Sequence, residues 1–209
     1  VQGTYDLVGS STTVSGGTAN FTGTLGNVGT LSISDGTANF SSGEVIAPTS
    51  LALSGGTLTG SDTVNLSGAS NNWTGGTQSG SGSTNVLAGG TLNISGLLDK
   101  TLDTRTLNNA GTASLSGGTL TLSNGALFNS TGAFNNSASV DLQSGTLSLL
   151  GGGTSSGSFS GAGTLQVGGN YTFAPASSIT NSNVEFSGGT AGVQGTYDLV
   201  GSSTTVSGG

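Results

Sequence analysis

The sequence predicts an all-β chain wound as a right-handed parallel β-helix, a β-solenoid with about 19–20 residues per turn. Three observations predict it. The first seventeen residues, VQGTYDLVGSSTTVSGG, return letter for letter at Val193 to Gly209, a period of 192 residues. Inside that period, Gly-Thr marks and apolar i, i+2 pairs return at a step of about 19–20 residues. The composition completes the case: 41 glycines in 209 residues, 32% hydrophobic and only 5% charged, where ordinary soluble domains carry roughly 25% charged residues. So few charges leave two classes, a disordered low-complexity segment or a solenoid. Disorder goes with high net charge and few β-branched residues; here the net charge is −7 and Val, Ile, Leu, Phe and Thr recur at regular intervals.

Taken along the chain, Gly17-Thr18-Ala19-Asn20-Phe21 and Gly36-Thr37-Ala38-Asn39-Phe40 are one pentapeptide written twice, one turn apart. Gly56-Thr57 and Gly76-Thr77 follow at the same beat. The pair Leu31/Ile33 is answered by Leu51/Leu53, Leu120/Leu122 by Val140/Leu142, and Leu165/Val167 by Val184/Phe186. Residues at i and i+2 share one face of a strand, and Gly, Asn and Ser bound each short apolar segment as turn residues do. Strands this small cannot bury a face alone, but they can when each turn of chain lies on the one before. Between Gly76 and Gly117 the beat slips, which predicts longer corners or a lateral insertion there. Division of 192 residues by about 20 predicts nine or ten turns per unit, a rise on the order of 45 Å at ~4.8 Å per strand. Right-handedness follows from the crossover rule for parallel strands. In domain terms, residues 1–192 form one complete unit and residues 193–209 begin the next in a continuous solenoid, as expected of a segment cut from a tandem array.

The residues that mark the turns resemble the repeats of filamentous haemagglutinins and autotransporter passengers of bacterial surface proteins. The resemblance rests on Leu107-Asn108-Asn109-Ala110-Gly111-Thr112, Ser116-Gly117-Gly118-Thr119-Leu120-Thr121-Leu122, Phe134-Asn135-Asn136-Ser137, Ser144-Gly145-Thr146-Leu147 and Gly161-Ala162-Gly163-Thr164-Leu165. It implies a right-handed β-helical shaft, a place outside the cell or at its surface, and a role as adhesin, fibre or stalk. A 192-residue unit copied this faithfully departs from a single passenger and points to a long tandem fibre.

Chemistry has few candidates. With no histidine and no cysteine, Ser/His/Asp and Cys/His machinery, thiolate metal sites and disulfides are excluded. No catalytic residue, cofactor site or metal site is expected, and the chain is not read as an enzyme. Nine acidic residues against two basic ones offer no patch for phosphates, which argues against nucleic-acid binding, and no stretch has the ~18 apolar residues of a membrane span. The expected partners are adjacent identical units along the fibre axis and neighbouring fibres. Asp99, Lys100, Asp103 and Arg105 hold both cations of the unit in one segment, either as a solvated salt-bridge patch or as a contact between fibres or units. Trp73 is read as core or corner packing, with a glycan contact as the alternative. Asp62 lacks the repeated Asp partners of a calcium-stacked nonapeptide array. Thr-x-Thr pairs begin at Thr22, Thr57, Thr104 and Thr119 and do not repeat at one turn, which argues against a flat ice-binding array. The Asn pairs at 71/72, 108/109 and 135/136 are expected as corner residues, and the seven phenylalanines as core stacks.

Overall fold

The computed structural model describes residues 2–199 and 202–208, and among them there are strands, turns and bends but no helix. The chain climbs in about ten turns, and three parallel ladders run along its length. The first ladder begins with the N-terminal parts of Ser11–Phe21 and Thr30–Phe40 and continues through Ser50–Leu53, Asn71–Trp73, Thr91–Ile94 and onward to Ala191–Val193. The second begins with the C-terminal parts of the same two long strands and continues through Thr57–Gly60, Gly76–Gln78 and Lys100–Asp103 to Thr196–Tyr197. Because Ser11–Phe21 and Thr30–Phe40 run unbroken through two faces, these ladders form one 18-stranded sheet. The third ladder is a separate sheet of nine strands from Val45–Ile46 to Ser203–Val206.

Every pairing in these ladders is parallel, and the apolar pairs of the sequence are register partners. Leu31 faces Leu51 and Ile33 faces Leu53; Leu120 faces Val140 and Leu122 faces Leu142; Leu165 faces Val184 and Val167 faces Phe186. The burial strings alternate half-exposed and buried along strand after strand, as at Thr63–Leu66, Thr91–Ile94 and Thr112–Leu115. That alternation is the period-2 signature of a strand with one face inward. The inward side chains close over one another from turn to turn, each Leu, Ile or Phe contributing about 2 kcal/mol by leaving water. Phe21 lies flat on Phe40, with ring centroids 4.6 Å apart and planes 11° from parallel. Phe128 meets Phe134, and Phe159 meets Phe173, edge to face at 5.2 and 5.7 Å. Of the seven phenylalanines only Phe186, near the last described turns, is not fully buried.

The turns are not of one length. Most register partners keep the stride seen from Ser11 to Thr30 and from Thr30 to Ser50, but the stride lengthens by several positions from Gly76 to Lys100 and from Ser83 to Thr106. The excess sits where the beat of the sequence slips. Five residues, 95–99, join Ile94 to Lys100, whereas two join Trp73 to Gly76. They form an outward bulge at whose tip Leu97 is 96% exposed.

One corner shows why glycine is needed. Gly17, Gly36, Gly56 and Gly76 stack on successive turns with φ of 65°, 74°, 62° and 82°. A Cβ on Gly56 would lie 2.4 Å from the Gly36 carbonyl oxygen, and one on Gly76 would lie 2.5 Å from that of Gly56. Left-handed backbone costs an alanine about 1–2 kcal/mol, and here the next turn occupies the space as well. Gly56→Ala is therefore expected to lower stability by about 2 kcal/mol or more, read as a fall in the urea midpoint. Gly16→Ala, where a Cβ meets nothing within 4 Å, is expected to change it by less than about 0.5 kcal/mol.

Candidate functional site

The four charged residues singled out in the sequence lie together on the irregular turn, but their cations point inward. Lys100 is 0% and Arg105 1% exposed. The Lys100 ammonium lies beneath the 95–99 bulge and donates to the carbonyls of Gly96 at 3.2 Å and of Gly117, on the next turn, at 2.7 Å. Burial lowers its pKa, an effect that the neighbouring Asp99 opposes. Asp99 accepts from the Thr119 amide at 2.9 Å and Asp103 from the Asn124 side chain at 2.8 Å. Both carboxylates thus tie this turn to the one above. A solvated patch or an inter-fibre contact carried by both cations does not fit this geometry. The bulge shelters one ammonium, and the corner swallows the guanidinium.

Arg105 is the polar centre of that corner. Nε donates to Thr84 Oγ1 at 3.0 Å; Nη1 donates to the carbonyls of Ser79 at 3.1 Å and Gly60 at 3.4 Å; Nη2 donates to those of Ser83 at 2.8 Å and Asp62 at 3.0 Å. Gly60 and Asp62 belong to the turn two below, and Ser79, Ser83 and Thr84 to the turn between. One side chain therefore pins three successive turns. Burial lowers its pKa to about 10, with Asp62 opposing, so it stays cationic at neutral pH. The Asp62 carboxylate accepts from the Ser42 amide at 2.8 Å, the Ser42 hydroxyl at 2.6 Å and the Gly43 amide at 2.9 Å, spending its charge on the corner of the preceding turn.

Trp73 is 0% exposed and donates its indole N–H to the Gly76 carbonyl at 3.3 Å. It stacks between Leu53 and Ile94 in the first ladder. A glycan cannot reach it, so the packing alternative holds. The Asn pairs sit at strand ends beside the corners, rather than in the corners themselves. They lie within the strands Asn71–Trp73, Thr106–Asn109 and Ala133–Asn136, with one member outward and one buried. Inward Asn71 accepts from the Leu51 amide and donates to the carbonyls of Gly68 and Thr91; Asn109 and Asn136 accept from the amides of Gly111 and Ala138 at the corner that follows each, and donate to the Ala133 carbonyl and the Ser155 hydroxyl on the turn above. The outward amides form a ladder on the third sheet: Asn85 donates to Asn65, Asn108 to Asn85 and Asn129 to Asn108, at 2.9, 2.9 and 3.1 Å.

One surface feature escapes a search for Thr-x-Thr. Thr18, Thr37, Thr57, Thr77, Thr101 and Thr121 are register partners through six successive turns of the second ladder. The neighbouring outward column holds Asn20, Asn39 and Thr59, then Asp103 and Ser123. Only the first column is pure threonine, and the threonines of the Gly-Thr marks were its signal in the sequence. An apolar depression opens at the last described turns, lined by Phe186, Gly188, Thr190, Ala191, Val193 and Val206. Among the described residues, no three of Asp, Glu, His and Cys gather as metal ligands. Comparison with family models, with curated proteins and with solved structures finds no match to this chain.

Two expected outcomes follow from these buried groups. Arg105→Ala removes the donor to five acceptors and leaves a cavity, which is expected to cost about 3 kcal/mol or more, measured by urea unfolding, with the β-type circular dichroism retained below the midpoint. Tyr171 is buried, donates to the Thr154 carbonyl at 3.3 Å, and has its pKa raised by desolvation. Its unfolded phenol loses its proton near pH 10 while the folded one keeps it, so stability is full below that pH and falls as pH rises above it. Lys100 and Arg105, whose folded pKa values are lowered, act in the opposite sense. Tyr171→Phe isolates the tyrosine: between pH 8 and pH 11 its urea midpoint is expected to fall less than that of the parent.

Proposed function

We propose that the chain is a segment of a structural fibre or stalk outside the cell, built of tandem solenoid units and acting as a stiff, non-catalytic rod. The carrying observation is that the described strands of the repeated stretch continue the ladders of the stack. Ser203, Val206 and the residues between them pair in register with Asn183 to Phe186, and Ala191–Val193 and Thr196–Tyr197 continue the other two ladders. A unit that begins as another ends, on the same ladders, extends the rod by simple repetition. The apolar depression at the last described turns is the kind of surface that a following turn would cover.

In this reading the partners are the next unit along the axis and, between rods, other fibres. The absence of cysteine suits a chain exported in extended form and folded outside the cell. The outward columns of threonine and asparagine favour a second reading, an adhesin shaft that holds surface or host glycans along its side.

Electron micrographs of the full-length product are expected to show straight rods whose length grows by about 45 Å for each 192-residue unit. Globular particles or flexible threads would contradict the fibre. On a glycan array, a signal that rises with unit number would favour the adhesin shaft, and its absence the plain stalk.

A further inference from the structure

The two copies of the repeated sequence do not occupy the same faces. Ser11 to Val14 form part of the first ladder. Their copies, Ser203–Val206, lie in the third, paired with Asn183 to Phe186. Tyr5 bridges to Leu25, which falls between Phe21 of the second ladder and Thr30 of the first and therefore holds the third-face place in its turn. Its copy, Tyr197, is in the second ladder, paired with Ile179. Both markers are displaced by one face in the same sense. The local geometry is nevertheless kept: Tyr5 Oη lies 3.0 Å from Thr12 Oγ1, and Tyr197 Oη lies 2.7 Å from Thr204 Oγ1. The copied segment folds alike and arrives at a different corner.

Counting turns gives the displacement. Ten successive strands of the first ladder, from Ser11–Phe21 to Ala191–Val193, make nine full turns, and Ser203–Val206 lies two faces further on. The 192-residue period thus spans nine and two-thirds turns, just under twenty residues to each. The faces tolerate this because they are chemically alike. Each presents the same alternation of buried apolar and outward polar residues, as at Ser50–Leu53, Thr119–Ser123 and Thr63–Leu66.

We infer that successive units of the array are related by a screw of about a third of a turn, so that each lateral feature of a unit is presented in rotation on three sides of the fibre. This rests on the tandem-fibre reading above. The six-threonine column on the second face passes to the first face in the next unit and to the third in the one after. The Leu97 bulge, which occurs once per unit, does the same. Three units, 29 turns, restore the original azimuth after about 140 Å. Along any one side a given surface then recurs only at every third unit, and no stripe of one chemistry runs the length of the rod.

The absence of cysteine lets paired spin labels report the phase in this chain alone. In Glu185→Cys/Thr205→Cys the labels sit on register partners, one turn apart. In Thr172→Cys/Thr205→Cys they sit on different faces; a unit in phase with its copy would instead bring Thr205 onto the first face, two turns or ~10 Å from Thr172. Strong dipolar broadening is expected for the first pair and a narrow spectrum for the second. The reverse pattern would overturn the screw and leave the solenoid standing. Narrow spectra from both pairs would show that the turns are not stacked here, which overturns the inference together with the fold on which it rests. Electron micrographs lacking rods would count against the tandem fibre without touching the phase measured in the single chain.

Discussion

The structure depends on one relation: each turn lies on the previous one at strand separation and in parallel register. A chain with 32% hydrophobic residues has too little apolar surface to wrap a conventional core, and a single turn offers only a few inward side chains. Stacking supplies the missing walls, because the inward Leu, Ile or Phe of one turn is covered by the turns below and above. The same relation satisfies the backbone, whose amides and carbonyls pair along the axis. The conformational entropy lost by 41 glycines opposes folding. It is tolerated because the corners bring backbones close enough to exclude even a Cβ.

That relation decides what the few charges do. In a globular surface Lys100 and Arg105 would face water, where ion pairs contribute little. Here they are drawn inward where the turn length departs furthest from the rule. A buried cation needs acceptors on every side, and the stacked turns supply them as backbone carbonyls: Lys100 takes those of Gly96 and Gly117, Arg105 those of Gly60, Asp62, Ser79 and Ser83. The desolvation cost appears as lowered pKa values for both, and the bonds made offset it. The charged cluster thus ties an irregular turn to its neighbours, and the bulge it supports is the part that reaches outward.

Legibility in the sequence follows the same division. Leu31/Ile33 on Leu51/Leu53 was readable because an inward pair is set by periodicity alone, and the stacked pentapeptides ending in Phe21 and Phe40 were readable because identical residues stack on themselves. What was not readable depends on direction at a corner. The Asn pairs carry turn chemistry at strand ends, where the inward member bonds the adjoining corner, Asn71 to Gly68, Asn109 to Gly111 and Asn136 to Ala138, while spacing does not say which member of the pair turns inward. Trp73 left core packing and a glycan contact both open, because its neighbours Gly75 and Gly76 do not say whether the corner closes over it; the indole is buried and bonded to the Gly76 carbonyl. The threonine column was hidden by a test that demanded threonine at two positions of a strand, when register aligns only one. The charged cluster was found as a group, but nothing in its spacing says that an ammonium and a guanidinium point inward.

The phase of the repeat bears on what such a rod can be for. If a unit were a whole number of turns, every outward side chain would line up with its copies into one-sided stripes, suited to lying flat on a surface with a matching repeat. A period of nine and two-thirds turns denies that. Any flat partner meets a given surface once in three units, whereas partners arrayed around the rod all meet the same one, each displaced along the axis by one unit. Bending is evened out as well, since the irregular turn with its bulge, the place where the ladder geometry is least regular, falls on each side in turn. An axis whose defects are distributed over three azimuths has no preferred direction in which to curve. A spacer needs that property, and a surface-binding strip does not, which is why the phase supports the stalk over the side-on adhesin.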